Sequence, residues 1–323
     1  SCLAAGFASA ATVNDCGGGT LASLSIPDTG GDYTLQNCVV TGAIQVSALT
    51  TGTTLVIRDT TALNIAFNTA LAGVTVMIED VTTIGSVTWG LRFVHTLSAS
   101  SKVSITRGSF TGGSGGMGIA AIDATSSVSL SDTDVTGNTA QGLQFTGINA
   151  GTIAISGGTF TQNTASQVAI YFAAAVTGAV SVSHATLTSD SSALYFLNLQ
   201  APLTVTNVVA TASSLGHGMM IGALTAAATS ISITGGSFTQ PSATSNAIAF
   251  AGVVTGSVAI SDATATSGHS TIIFADLQAP LVLTSVTATA TAASDGLIIQ
   301  AMSAAATTVS IYGGTYKGNH RGI

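Results

Sequence analysis

Gly151-Thr152-Ile153-Ala154-Ile155-Ser156-Gly157-Gly158-Thr159-Phe160 returns 78 positions later as Thr229-Ser230-Ile231-Ser232-Ile233-Thr234-Gly235-Gly236-Ser237-Phe238. The match is not confined to this decapeptide. Residues 151–228 align with 229–306 without a gap at about half of their positions, and a third glycine pair, Gly313-Gly314, keeps the same step. Leu199-Gln200-Ala201-Pro202-Leu203 likewise recurs as Leu277-Gln278-Ala279-Pro280-Leu281. A long strict period implies a quasi-one-dimensional stack in which each unit packs on its neighbours.

Each 78-residue unit divides into three shorter turns. Ile153 and Ile155 alternate with small polar residues before the first corner, Val180 and Val182 before His184, and Leu203 and Val205 before Asn207. Period-two alternation marks a strand with one buried face. Extended in both directions, the corner falls at Asn37, Asp59, Asp80, Arg107, Asp132, Gly157, His184, Asn207, Gly235, Asp262, Ser285 and Gly313, in steps of 21 to 28 residues. That step is too short for a strand–helix–strand unit and too long for a hairpin, but fits one turn of a parallel β-helix. About twelve such turns at a strand spacing of roughly 4.8 Å give a rod of about 58 Å. The expected organisation is an all-β solenoid, with residues 1–32 as an N-terminal cap and 33–323 as the coil. Phe110, Phe160, Phe238 and Tyr316 fall at one place after the corner, Phe172 with Phe250 and Phe196 with Phe274 at others. Sugar stacking is one use for such rings; their place beside Val and Ile favours core ladders.

Composition agrees with strands and turns. Hydrophobic residues make up 46% and charged residues only 6%, with 37 glycines. Disorder requires lower hydrophobicity, and apolar runs such as 169–176 are far shorter than a membrane-spanning helix requires. A net charge of −7 with six basic residues argues against nucleic acid or an anionic membrane as partner. Cysteines occur only at Cys2, Cys16 and Cys38. Free buried thiols are one reading; a stapled cap with Cys2 bonded to Cys16, which share one short segment, is the expected one. Such a bond favours an extracellular or cell-surface setting, with any signal peptide already removed.

With this periodicity and composition the chain resembles the right-handed parallel β-helix proteins of the pectin-lyase-like superfold, and among them the Thr/Ser/Gly-rich surface, fibre and adhesin members. Right-handed coiling is implied by that resemblance and by the general preference of parallel crossovers. Enzymes of this fold resemble polysaccharide lyases or glycosidases, which need clustered carboxylates. The charge-dense corner column Arg58, Asp59, Glu79, Asp80, Arg107 and Asp132 is the one place for them. A catalytic reading takes Glu79 or Asp80 with Asp132 as acid and base; the structural one, which the sequence favours, is an ion-pair ladder. Elsewhere ionisable residues drift between units, His184 becoming Asp262 and His217 becoming Asp295. His95, His184, His217, His269 and His320 make no metal-ligand spacing, and the glycine-rich runs 112–116 and 216–218 lack a phosphate-loop ending. No cofactor is expected.

Two further readings concern surfaces. Thr264, Thr266, Thr287, Thr289 and Thr291 form T-x-T runs similar to those of ice-binding solenoids, although the runs do not look regular through all turns. Dense Ser and Thr could carry O-linked glycans, whereas no Asn begins an N-glycosylation sequon. The sequence thus points to a structural extracellular protein and not an enzyme, with glycan or ice binding as one alternative and polysaccharide cleavage as another. Head-to-tail self-assembly is the expected partnership. Asp15, Asp28 and Asp32 at one end face Lys317, His320 and Arg321 at the other, and strand-edge pairing completes the contact.

Overall fold

The computed structural model describes residues 11–28, 30–225, 230–292, 294–303 and 308–319. It is a right-handed parallel β-solenoid of about twelve turns built from strands alone. Among these residues no helix is long and apolar enough to cross a membrane.

Each turn contributes one strand to each of three parallel sheets. The first sheet runs through Tyr33–Gln36, Lys102–Thr106, Thr152–Ser156, Val180–Ser183 and Leu281–Thr284. The second runs through Ser109–Gly112, Thr159–Gln162, Thr186–Ser189 and Thr287–Ala290. The third runs through Leu91–Phe93, Ile170–Val176, Leu194–Leu199 and Ile272–Leu277. Residues 12–26, expected as the cap, add a rung in the same register, Thr12 beside Tyr33 and Leu24 beside Ile44.

Inward side chains stack in columns because successive rungs are in parallel register. In the first sheet Leu130, Ile155, Val182, Val205 and Ile233 lie one above another, all buried. In the third, Phe145, Phe172 and Phe196 stack with centroids 4.5 and 4.4 Å apart, and Phe250 with Phe274 at 4.5 Å. The second sheet alternates size instead: Phe238 lies between Ala210 and Ala265, so one ring fills the space that two methyl groups leave. Phe110 and Phe160 are also fully buried. The phenylalanines of the repeat are therefore core, and Tyr316 packs against it partly buried.

The corner between first and second sheets has one conformation throughout. All twelve corner residues deduced from the sequence have positive φ, from 48° at Asp59 to 72° at Gly157. Left-handed backbone is cheap for Gly and tolerable for Asn and Asp. The abundance of Asp, Asn and Gly there thus follows from backbone geometry before any charge pairing.

The disulfide joins Cys16 to Cys38, with Cα atoms 5.0 Å apart, and not Cys2 to Cys16. Proximity along the chain misled the expectation: one rung of 22 residues brings Cys16 and Cys38 onto neighbouring turns beside the corner. Cys2 lies outside the described residues.

Three outcomes are expected. Phe172→Ala, which removes the middle ring of a three-ring stack, should lower stability by about 3–5 kcal/mol in urea unfolding. Gly158 has φ +78°, and a Cβ there would lie 2.1 Å from the Thr133 carbonyl oxygen. Gly158→Ala should therefore cost more than about 1 kcal/mol by the same measurement. Closing the 22-residue Cys16–Cys38 loop should stabilise the first rungs by about 3 kcal/mol, lost on reduction, and non-reducing peptide mapping should recover Cys16 linked to Cys38.

Candidate functional site

The charge-dense corner forms one ion pair among the described residues. Arg107 donates from Nε to Asp80 Oδ1 at 2.9 Å and from Nη2 to Asp80 Oδ2 at 2.7 Å. This bidentate bond holds the Asp80 carboxyl below its ordinary range, and Asp80, Glu79 and Asp132 together raise Arg107. Arg58 lies beside Glu79 in register yet donates to Gln36 Oε1. Asp132 accepts from the Ser131 hydroxyl at 3.3 Å, and Asp59 makes no side-chain bond with another described residue. The ladder expected from alternating charge therefore closes at one step only. One arginine stands among three corner carboxylates, and the backbone selects these residues whether or not they pair. For catalysis, Glu79 and Asp132 lie two rungs apart with Arg107 on the rung between, a separation of about 9.6 Å at normal strand spacing.

The acidic residues of the first rungs are used inside the rod. Asp15 accepts from Gln36 Nε2 at 2.6 Å, from Asn37 Nδ2 and from the Gly17 amide. Asp28 accepts from the Thr50 hydroxyl and amide, and Asp32 from the Thr54 amide at 2.7 Å. The amide of Gly17 is the main cause that lowers Asp15, the Thr50 hydroxyl that lowers Asp28. Lys317 ends the last strand of the second sheet, beside Thr289. His320 and Arg321 lie outside the described residues.

Recesses occur along the outer side of the third sheet. Tyr171, Tyr195 and Met220 follow one another in register, with the two rings 5.2 Å apart, and line a cleft of about 420 Å³ with Gln141, Ser191, Ser192 and His217. His217 Nδ1 accepts the amide N–H of Asn246 at 3.2 Å, which leaves the proton of the neutral ring on Nε2. The Asn246 side-chain amide lies 3.4 Å from His269 Nδ1. The fold thus brings together, through Asn246, two histidines 52 positions apart in the sequence. Further down, Trp89 and Arg92 share a smaller recess of about 190 Å³ with Asn64 and Gln45. The glycine run 112–116 serves this region by close packing: a Cβ on Gly115 would lie 2.3 Å from the Trp89 ring.

A feature only partly seen in the sequence is on the second sheet. Thr111, Thr136, Thr161, Thr188, Thr211, Thr239, Thr266 and Thr289 occupy one outward row on eight successive rungs. The T-x-T runs are interrupted in register, by Asp134, Val209 and Ser237, as the sequence suggests, but their second Thr continues through all eight rungs. A parallel row holds Thr159, Thr186, Val209, Ser237, Thr264, Thr287 and Thr315. The signal was available: each Thr of the first row stands four residues after a corner. A third row, on the first sheet, is Ser or Thr on eight rungs from Thr106 to Thr284.

No protein-family model matches the chain, and comparison with curated proteins and with solved structures gives no match.

Burial lowers the pKa of His217, with nearby His269 acting in the same direction. A histidine whose folded value is depressed stays neutral while the unfolded chain takes up a proton below its ordinary 6.5. Stability should therefore fall as the pH drops from about 7 to 5, and His217→Gln should flatten that part of a melting-temperature profile.

Proposed function

We propose that the protein is a structural extracellular rod, a component of a surface fibre or adhesin of the right-handed β-helix type. The observation that carries this reading is what the repeat preserves. Core columns and the left-handed corner persist from unit to unit, while ionisable side chains drift. A catalytic array would hold its charged groups and let the scaffold vary around them. The Cys16–Cys38 bond supports an oxidising compartment. The engagement of Asp80 by Arg107 supports a structural use of the charged corner over acid–base work.

Self-association belongs to the same reading: strand-edge pairing would complete the contact, and Asp15, Asp28 and Asp32, which accept hydrogen bonds from uncharged donors, keep the negative charge that would steer it.

Antibody raised against the purified chain should label intact, unpermeabilised cells of the source organism. Label that appears only after permeabilisation would remove the extracellular reading. Incubation with acidic and neutral polysaccharides should release no new reducing ends or unsaturated products. Release that disappears in a Glu79→Gln, Asp132→Asn double variant would replace the structural reading with a catalytic one.

A further inference from the structure

The threonine rows of the second sheet form a grid. Rungs of a parallel sheet repeat at about 4.8 Å, and alternate residues along a strand at about 6.7 Å. From Thr111 to Thr289 the first row spans seven rung intervals, about 34 Å. The register across these rungs carries no bulge, unlike the third sheet, where pairing shifts after Phe172 and Phe250.

Three features separate this grid from an ordinary strand surface. First, none of the eight hydroxyls from Thr111 to Thr289 takes part in a hydrogen bond with another described residue. In the Ser/Thr row of the first sheet, by contrast, Ser183 bonds the Ile155 carbonyl and Ser261 bonds Thr234. Second, the grid is uncharged from the rung of Thr161 to that of Thr289, with Asp134 beside Thr136 on the second rung and Lys317 beyond the last, so no strongly hydrated side chain interrupts those six rungs. Third, the side chains are β-branched and stiff at χ1, so hydroxyl and methyl positions are fixed before any contact. High β-propensity accounts for Thr on an exposed strand, but Val, Ile and Tyr serve equally well there. It does not account for the same residue on eight rungs.

We propose that the second sheet is a lattice-matching surface whose ligand is ice. A rigid grid of hydroxyls and methyls recognises a solid that repeats in two dimensions, and the two spacings lie close to the oxygen repeats of the prism face of ice. A preordered surface binds such a ligand with little loss of conformational freedom. Crystalline polysaccharide is the less suitable occupant, because the rings on these strands, Phe110, Phe160 and Phe238, are buried in the core and none is presented outward for sugars to stack on. The proposal is independent of whether the rod belongs to a surface fibre.

The test uses the full 323-residue chain. Frozen slowly from dilute solution, it should partition into the growing ice, and it should hold the freezing point below the melting point of a seeded crystal. Thr188→Lys with Thr266→Lys, which places two charges in the grid, should lose both effects. Thr206→Lys with Thr284→Lys, on the first sheet, should retain them, with circular dichroism establishing that both variants are folded. Exclusion of the unmodified chain from ice would overturn the proposal, as would equal loss in both variants. So would binding to crystalline cellulose or chitin in place of ice, dimerisation that buries the second sheet, or O-linked sugars on Thr188 and its row in protein from the native source.

Discussion

Every rung of this molecule is fixed to the next by parallel backbone pairing, and that pairing is possible only if each turn changes direction at the same place. The left-handed corner meets that requirement. From Asn37 to Gly313 it recurs with φ near 50–70°, and on either side of it the first and second sheets stay in register. Side chains three residues after the corner point inward and those four residues after it point outward, so one backbone angle determines both the core columns and the surface rows. A β-branched or bulky residue at the corner would be strained, which explains why Gly, Asp and Asn dominate it and why Arg107 and His184 are the larger exceptions.

Much of this could be read from the chain. Alternation at Ile153/Ile155 and Val180/Val182 located the first sheet, and Gly157, Gly235 and Gly313 located the corner, because backbone constraints leave a residue signature at short range. Phe160 and Phe238 were assigned correctly to the core for the same reason. The disulfide was not legible. Cys16 meets Cys38 because one rung happens to be 22 residues long, and the length of a turn is a property of the coil, not of the segment around Cys2. The ion-pair ladder failed differently. Asp59, Asp80 and Asp132 do lie at one corner, but the corner needs their backbone tolerance, and only Arg107 supplies a cation that reaches a carboxylate.

The third sheet was the least predictable part. Its strands start after connections of unequal length, so Tyr171, Tyr195 and His217 have no constant spacing from the corner, and the 420 Å³ cleft they line leaves no pattern in the sequence. The Asn246 bridge between His217 and His269 is of the same kind. Polar side chains placed there must find partners on neighbouring rungs, and burial without full ionisation is the cost, seen in the lowered His217.

Inside a repeat stack, persistence of a residue has two sources, and the two can be separated by direction. Inward positions stay apolar because the column is buried and its sizes must compensate from rung to rung, and corner positions are limited because few residues adopt their backbone. Neither source acts on an outward side chain that touches nothing within the rod. Ionisable residues change identity between units, as at His184/Asp262 and Asp190/Gly268. The row from Thr111 to Thr289 does not. It keeps one residue type on eight rungs while the inward neighbour three places after the corner varies among Phe, Val, Leu and Ala. A ligand on the solvent side of the sheet that itself repeats at the spacing of the rungs, as proposed above, would hold it constant.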